Sequence, residues 1–88
     1  MLKILTFGAN WCKACYCQSR ILDEIKNEYG NRIEIEKVDI EKESHRAEKY
    51  FITSLPRTYL LNDMGYILEQ GVDLVSKDII RHWIETYR

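Results

Sequence analysis

The apolar and polar positions change their period along the chain, and each change predicts an element. Leu2 to Phe7 is short and almost wholly apolar, the pattern of a strand covered on both faces, and Gly8 and Asn10 bound it. From Ala14 to Tyr29 the spacing turns helical. Ile21, Leu22, Ile25 and Tyr29 recur at steps of one, three and four, while Arg20, Asp23, Glu24 and Lys26 take the other face. Gly30-Asn31 supplies the stop. Arg32 to Ile40 alternates, but Val38 and Ile40 fall out of phase with Ile33 and Ile35, which predicts a strand with a bulge or twist near Lys37. Glu41 to Tyr50 is charged, with Ala47, Tyr50 and Phe51 as its apolar contacts, and reads as a short helix opened by Ser44. Beyond Leu55-Pro56, Arg57 to Leu61 is a third strand. Asn62-Asp63-Met64-Gly65 is a turn, Tyr66 to Gln70 pairs back as a hairpin arm, and Gly71 breaks that arm. Ser76 then caps a last helix whose apolar stripe is Ile79, Ile80, Trp83, Ile84 and Tyr87. The order is β-α-β-α-β-β-α, an α/β arrangement read as one domain over residues 1–88.

Composition narrows the class. Hydrophobic residues are 45% and charged residues 31%, which suits a globular chain and argues against disorder. A formal net charge of −1 gives no reason to expect nucleic acid or an anionic membrane as partner. No apolar run approaches the roughly 18 residues of a membrane span. Met1 leads at once into strand-like sequence, so a cytoplasmic location is expected, and the chain is read as a monomer. Cys12, Cys15 and Cys17 are too clustered to form a framework of structural disulfides. Clustered cysteines in a reducing compartment point to catalysis or metal binding.

Cys12-Lys13-Ala14-Cys15 lies between the first strand and the first helix, and that placement favours redox chemistry. The first turn of a helix carries unpaired N–H groups and the positive end of the macrodipole. A thiol there loses its proton more readily, and the thiolate is the nucleophile of disulfide exchange. Cys15, one turn further in, is placed to attack a mixed disulfide formed on Cys12. The rival reading is half of a zinc site, which needs four ligands; Cys17 and His45 are the available additions, but three cysteines would then share about one helical turn. Cys17 lies about 200° around the helix from Cys15 and reads as a small packing residue. His45 and His82 sit in charged surroundings and are assigned no chemistry. No Gly-rich nucleotide fingerprint is present, so no bound cofactor is expected.

The order of elements and four motifs together resemble the thioredoxin superfamily in its minimal form, with a central mixed four-stranded sheet flanked by helices. The motifs are Trp11-Cys12-x-x-Cys15, Lys37-Val38-Asp39 in the second strand, Leu55-Pro56 before the hairpin, and Gly71 followed by Ser76-Lys77. The resemblance implies a protein-disulfide reductase, with Cys12 as the exposed nucleophile and Cys15 as the buried resolving thiol. It also implies that Pro56 is cis and that the Leu55 backbone bonds an extended substrate. Trp11 would form part of the docking surface, and Gly71 would admit a substrate backbone. The implied partners are disulfide-containing proteins and an external reductant, either a thioredoxin-reductase-type enzyme or glutathione.

The departures from that family are specific. Lys13-Ala14 replaces the usual Gly-Pro, and an ammonium beside Cys12 favours its thiolate. Stabilising the thiolate makes the pair less reducing than the roughly −270 mV of thioredoxin. Thr6 stands where thioredoxins bury an aspartate, which leaves proton transfer at Cys15 to Lys37, water or substrate. Lys37 reads equally as a buried or a solvated residue. Arg57 follows Pro56 where threonine is common; it reads as a surface charge that tunes the site toward acidic partners. Two alternatives remain open within the fold: a glutathione-coupled glutaredoxin, and a redox-inactive binding module. Against the first, the chain has one glycine, Gly71, and one acid, Asp73, where glutaredoxins carry Gly-Gly and an acidic pair.

Overall fold

The computed structural model describes all residues, Met1–Arg88. Four strands and three helices follow one another along it: β1 (Leu2–Gly8), α1 (Lys13–Tyr29), β2 (Ile33–Asp39), α2 (Ser44–Lys49), β3 (Arg57–Leu61), β4 (Ile67–Val72) and α3 (Lys77–Tyr87). A single 3₁₀ turn, Gly30–Arg32, joins α1 to β2. The strands form one mixed sheet in the order β2-β1-β3-β4. β1 runs parallel to β2 and antiparallel to β3, and β3 is antiparallel to β4. The most apolar strand, β1, therefore sits between two neighbours with both faces covered, as its composition requires.

Two apolar clusters lie on opposite faces of the sheet. On one face Ile4, Ile33 and Leu60 meet Leu22, Ile25 and Tyr29 of α1 and Ile80, Trp83 and Ile84 of α3. On the other, Leu5, Phe7, Val38, Tyr59 and Leu61 pack with Ala47 of α2 and with Tyr50, Ile52 and Leu55. Phe7, Tyr50 and Tyr59 meet there with ring centroids 4.9–6.1 Å apart.

This double coverage corrects the bulge expected near Lys37. The β1–β2 register runs without a shift from Leu2↔Ile33 to Gly8↔Asp39. Ile33 and Ile35 serve the α1/α3 face and Val38 and Ile40 the α2 face, so the change of phase is a change of face in a regular strand. The irregularity of the sheet lies elsewhere, between Leu60 and Leu61 where they pair with β4.

Gly71 is also corrected. It does not break the hairpin arm but lies within β4, opposite Thr58. It is buried, and a Cβ there would overlap Val75 Cγ2 and approach the Trp83 ring to 3.4 Å. The missing side chain makes room for the protein's own core. Two smaller differences concern helices. Ser44 is the first residue of α2 and not its cap; Glu43 precedes it without a side-chain capping bond. Ile79 stays half exposed, because Ile80, Trp83 and Ile84 already fill the buried stripe of α3. Ser76 caps α3, its hydroxyl accepting the Ile79 N–H at 3.3 Å.

Candidate active site

The site is built around Gly8, the last residue of the central strand. Its parallel neighbour is Asp39 at the end of β2. On the other side, the β1–β3 ladder ends at Phe7↔Arg57, and one further step brings Pro56 beside Gly8. Above it sits Cys15: a Cβ added to Gly8 would lie 3.0 Å from Cys15 Cβ and 3.3 Å from its Sγ. Glycine at this position is what lets the first turn of α1 settle on the strand end.

Cys12 is the N-cap of α1. Its backbone is extended (φ −96°, ψ 107°), and its Sγ accepts the Cys15 N–H at 3.2 Å. The first turn holds no acidic residue, so nothing offsets the positive end of the helix dipole beside this sulfur. Cys12 and Cys15 form a disulfide. Both are half-buried, so Cys15 is less enclosed than its expected role required. Lys13 and Ala14 are exposed on the first turn. Trp11 is 69% exposed immediately before the pair.

The Leu55–Pro56 bond is cis, and Pro56 is buried. The Pro56 carbonyl accepts the N–H of Asp73, a residue held at φ +66° in the loop after β4. Val72 and Leu74 flank Asp73 and are exposed. The hydrogen bond from Asp73 to Pro56 ties the loop after β4 to the cis-proline segment. Arg57 is half-buried, and its guanidinium donates to Ser54 Oγ at 3.2 Å.

Lys37 is on the surface. Its Nζ donates to Asp23 Oδ1 at 2.5 Å and to the Ser19 carbonyl at 3.2 Å. It borders a cavity of about 290 Å³ that Cys12, Cys15, Thr6 and Asp39 also line. At the buried end, Thr6 Oγ1 and Thr58 Oγ1 share a hydrogen bond of 2.9 Å, a neutral pair where the family usually has an acid. The packing role expected for Cys17 is overturned: it is a free, exposed cysteine, because the face opposite Cys15 points to solvent.

Gln18 was missed from sequence. It is 1% exposed, and its side chain accepts the Val75 N–H at 2.8 Å and donates to the Val75 carbonyl at 3.1 Å. It ties α1, which carries the cysteines, to the loop that follows β4. The signal was available: Gln18 falls on the stripe of Leu22, Ile25 and Tyr29, where an amide is out of place without a buried partner.

A disulfide that caps the first helix at the end of a central strand, with a cis-proline in the neighbouring segment, is an arrangement suited to thiol–disulfide exchange. Comparison with known proteins makes this specific. The chain belongs to the thioredoxin family, whose model, Thioredoxin, matches residues 1–86. It is 36% identical over 77 residues to thioredoxin 2 of Plasmodium falciparum (isolate 3D7), covering 88% of this chain and 49% of that protein. It is 33% identical over 82 residues to a thioredoxin of Buchnera aphidicola subsp. Acyrthosiphon pisum, covering 93% of this chain and 75% of the relative. The chain thus spans about half the length of the first relative and three quarters of the second. A solved thioredoxin-2, described as a component of malaria parasite protein secretion machinery, superposes with a TM-score of 0.94 at 33% identity. The match covers 99% of this chain and 84% of that one. The relatives are thioredoxins, so the glutaredoxin alternative is not favoured. No helix is long and apolar enough to cross a membrane.

Proposed function

We propose that this thioredoxin-family chain reduces protein disulfides by dithiol exchange. The placement of Cys12 as the N-cap of α1, bonded to Cys15, carries the reading. In the reduced protein the Cys12 thiolate, favoured by the helix terminus and by Lys13, attacks a substrate disulfide and forms a mixed disulfide. Cys15 resolves it, which releases the reduced substrate and leaves the Cys12–Cys15 bond. Trp11, the Leu55 backbone, Pro56 and the loop of Val72 and Leu74 form the surface on which an extended substrate segment docks. Arg57 beside Pro56 tunes that surface toward acidic segments. A thioredoxin-reductase-type enzyme returns the electrons, and the chain works as a monomer in the cytosol without a bound cofactor.

Two variants and a titration test this. Wild-type protein with a chemical reductant should cleave the interchain disulfides of insulin. Cys12→Ser should abolish that activity, and Cys15→Ser should accumulate a mixed disulfide visible by mass. Equilibration with glutathione buffers should show one two-electron couple, less reducing than the roughly −270 mV of thioredoxin. Absence of a reversible couple, or full activity in Cys12→Ser, sinks the proposal and leaves a redox-inactive binding module in its place.

A further inference from the structure

We infer that Asp39 is the proton acceptor that activates Cys15, an inference that rests on the dithiol exchange proposed above. Resolution needs a Cys15 thiolate, so the Cys15 proton must pass to a side chain, to water or to the substrate. The acid that the family usually buries is replaced by Thr6, whose hydroxyl is already engaged with Thr58. Lys37, the other expected carrier, is an ammonium donating to Asp23 and to the Ser19 carbonyl. An ammonium has three donors and no lone pair to receive a proton. Among the groups that line the cavity beneath the disulfide, the one carboxylate is Asp39.

Register puts it there. Asp39 is the parallel partner of Gly8, and paired residues of neighbouring strands share a face of the sheet. The face of Gly8 is the one against which Cys15 packs. Asp39 Oδ1 accepts the Glu41 N–H at 2.9 Å, which anchors the carboxylate; Oδ2 makes no bond within the chain. The cavity of about 290 Å³, which both groups line, has room for water to carry the proton between thiol and carboxylate. The titratable groups that border the same cavity are Cys12 at the cap of α1, Cys15 and Tyr16 within α1, and Lys37 from β2. The following loop adds Glu41, Lys42 and Glu43, whose backbone N–H groups bond Asp39.

The step balances without an outside oxidant. The Cys15 proton passes to Asp39, and the Cys15 sulfur attacks Cys12 Sγ. The Cys12–Cys15 bond forms as the bond from Cys12 to the substrate sulfur breaks. The departing thiolate takes up a proton, which the Asp39 carboxyl can return. Two protein thiols are oxidised to a disulfide, and the substrate disulfide has been reduced to two thiols.

Asp39→Asn separates this role from a structural one, because an amide oxygen keeps the bond to the Glu41 N–H. The full-length reduced protein is mixed with hydroxyethyl disulfide, quenched in acid at intervals and weighed, from pH 5 to 9. The first step, read as the alkylation rate of Cys12 by iodoacetamide, is followed in both proteins, and resolution is judged by the ratio of the second rate to the first. Resolution at pH 7 should slow by about 10²-fold, the lower end of what general acid–base catalysis supplies, so that the Cys12 mixed disulfide accumulates. Its rate should also climb about tenfold per pH unit where the wild-type rate is flatter. Asp39→Glu, which keeps a carboxylate, should retain the flatter profile. Equal resolution rates and equal pH profiles in Asp39→Asn and wild type overturn the role of Asp39 alone. A wild-type protein that forms the mixed disulfide and never resolves it overturns the exchange reading and this inference with it.

Discussion

A methyl group at Gly71 would occupy space that Val75 Cγ2 now fills, and it would also press on the Trp83 ring. Both neighbours are buried, so neither can swing into solvent. Gly71→Ala should therefore cost about 1–3 kcal/mol, the range for overpacking a core, read as a lower urea midpoint with an unchanged slope. A substrate-contact role would instead leave stability alone and impair turnover. At this scale the sequence was legible where function depends on residues adjacent in the chain. Cys12 and Cys15 share one helical turn, and Ser76 lies next to the helix it caps. It was opaque where one residue answers to another far away. Gln18 bonds a loop 57 positions on, and Asp39 meets Gly8 only through the pairing of β1 and β2.

Among the elements, α2 is the one that packing alone would hold least well. It runs for six residues, and none of them is buried. Besides the contact of Ala47 with the apolar cluster, its tie to the sheet is ionic: Arg46 pairs with Glu36 of β2, and Lys3 of β1 reaches the same carboxylate at 2.6 Å. The hydrogen bond from Arg46, followed by that from Lys3, holds the Glu36 carboxyl down to about 2. A carboxyl lower in the folded than in the unfolded state stabilises the fold above its unfolded value, near 4.3. That contribution disappears as the pH falls through about 2. Glu36→Gln should accordingly lower the melting temperature at pH 7 through a loss of about 1 kcal/mol, since the groups are partly exposed. The gap between variant and wild type should close between pH 4 and pH 2. A gap that persists at pH 2 would mean that Glu36 acts by packing and not by charge. The existence of α2 was visible as a break in strand pattern; its attachment was not, because Glu36 and Arg46 are joined by the fold of the chain and not by spacing.

For the whole molecule, the sheet order predicts an order of opening. β1 and β3 have a strand on each side and apolar clusters on both faces, whereas β2 and β4 are edges. Native-state hydrogen exchange should find the slowest amides in β1 and β3 and the fastest helical ones in α2. Slower exchange in β4 than in β1 would contradict it. Hydrophobic period and punctuation, read from the chain alone, determined the number and order of elements, the helix that carries the cysteines, and the chemistry of that pair. These are local properties: a period depends on neighbours within two or four positions, and a thiol at a helix terminus feels its own first turn. The tertiary structure decided what rests on strand register and packing. It made the phase change in β2 a change of face, turned Gly71 into core, fixed Lys37 on Asp23, and brought the Asp39 carboxylate into the cavity beneath Cys15. Such contacts join positions tens of residues apart, and no periodicity along the chain records them.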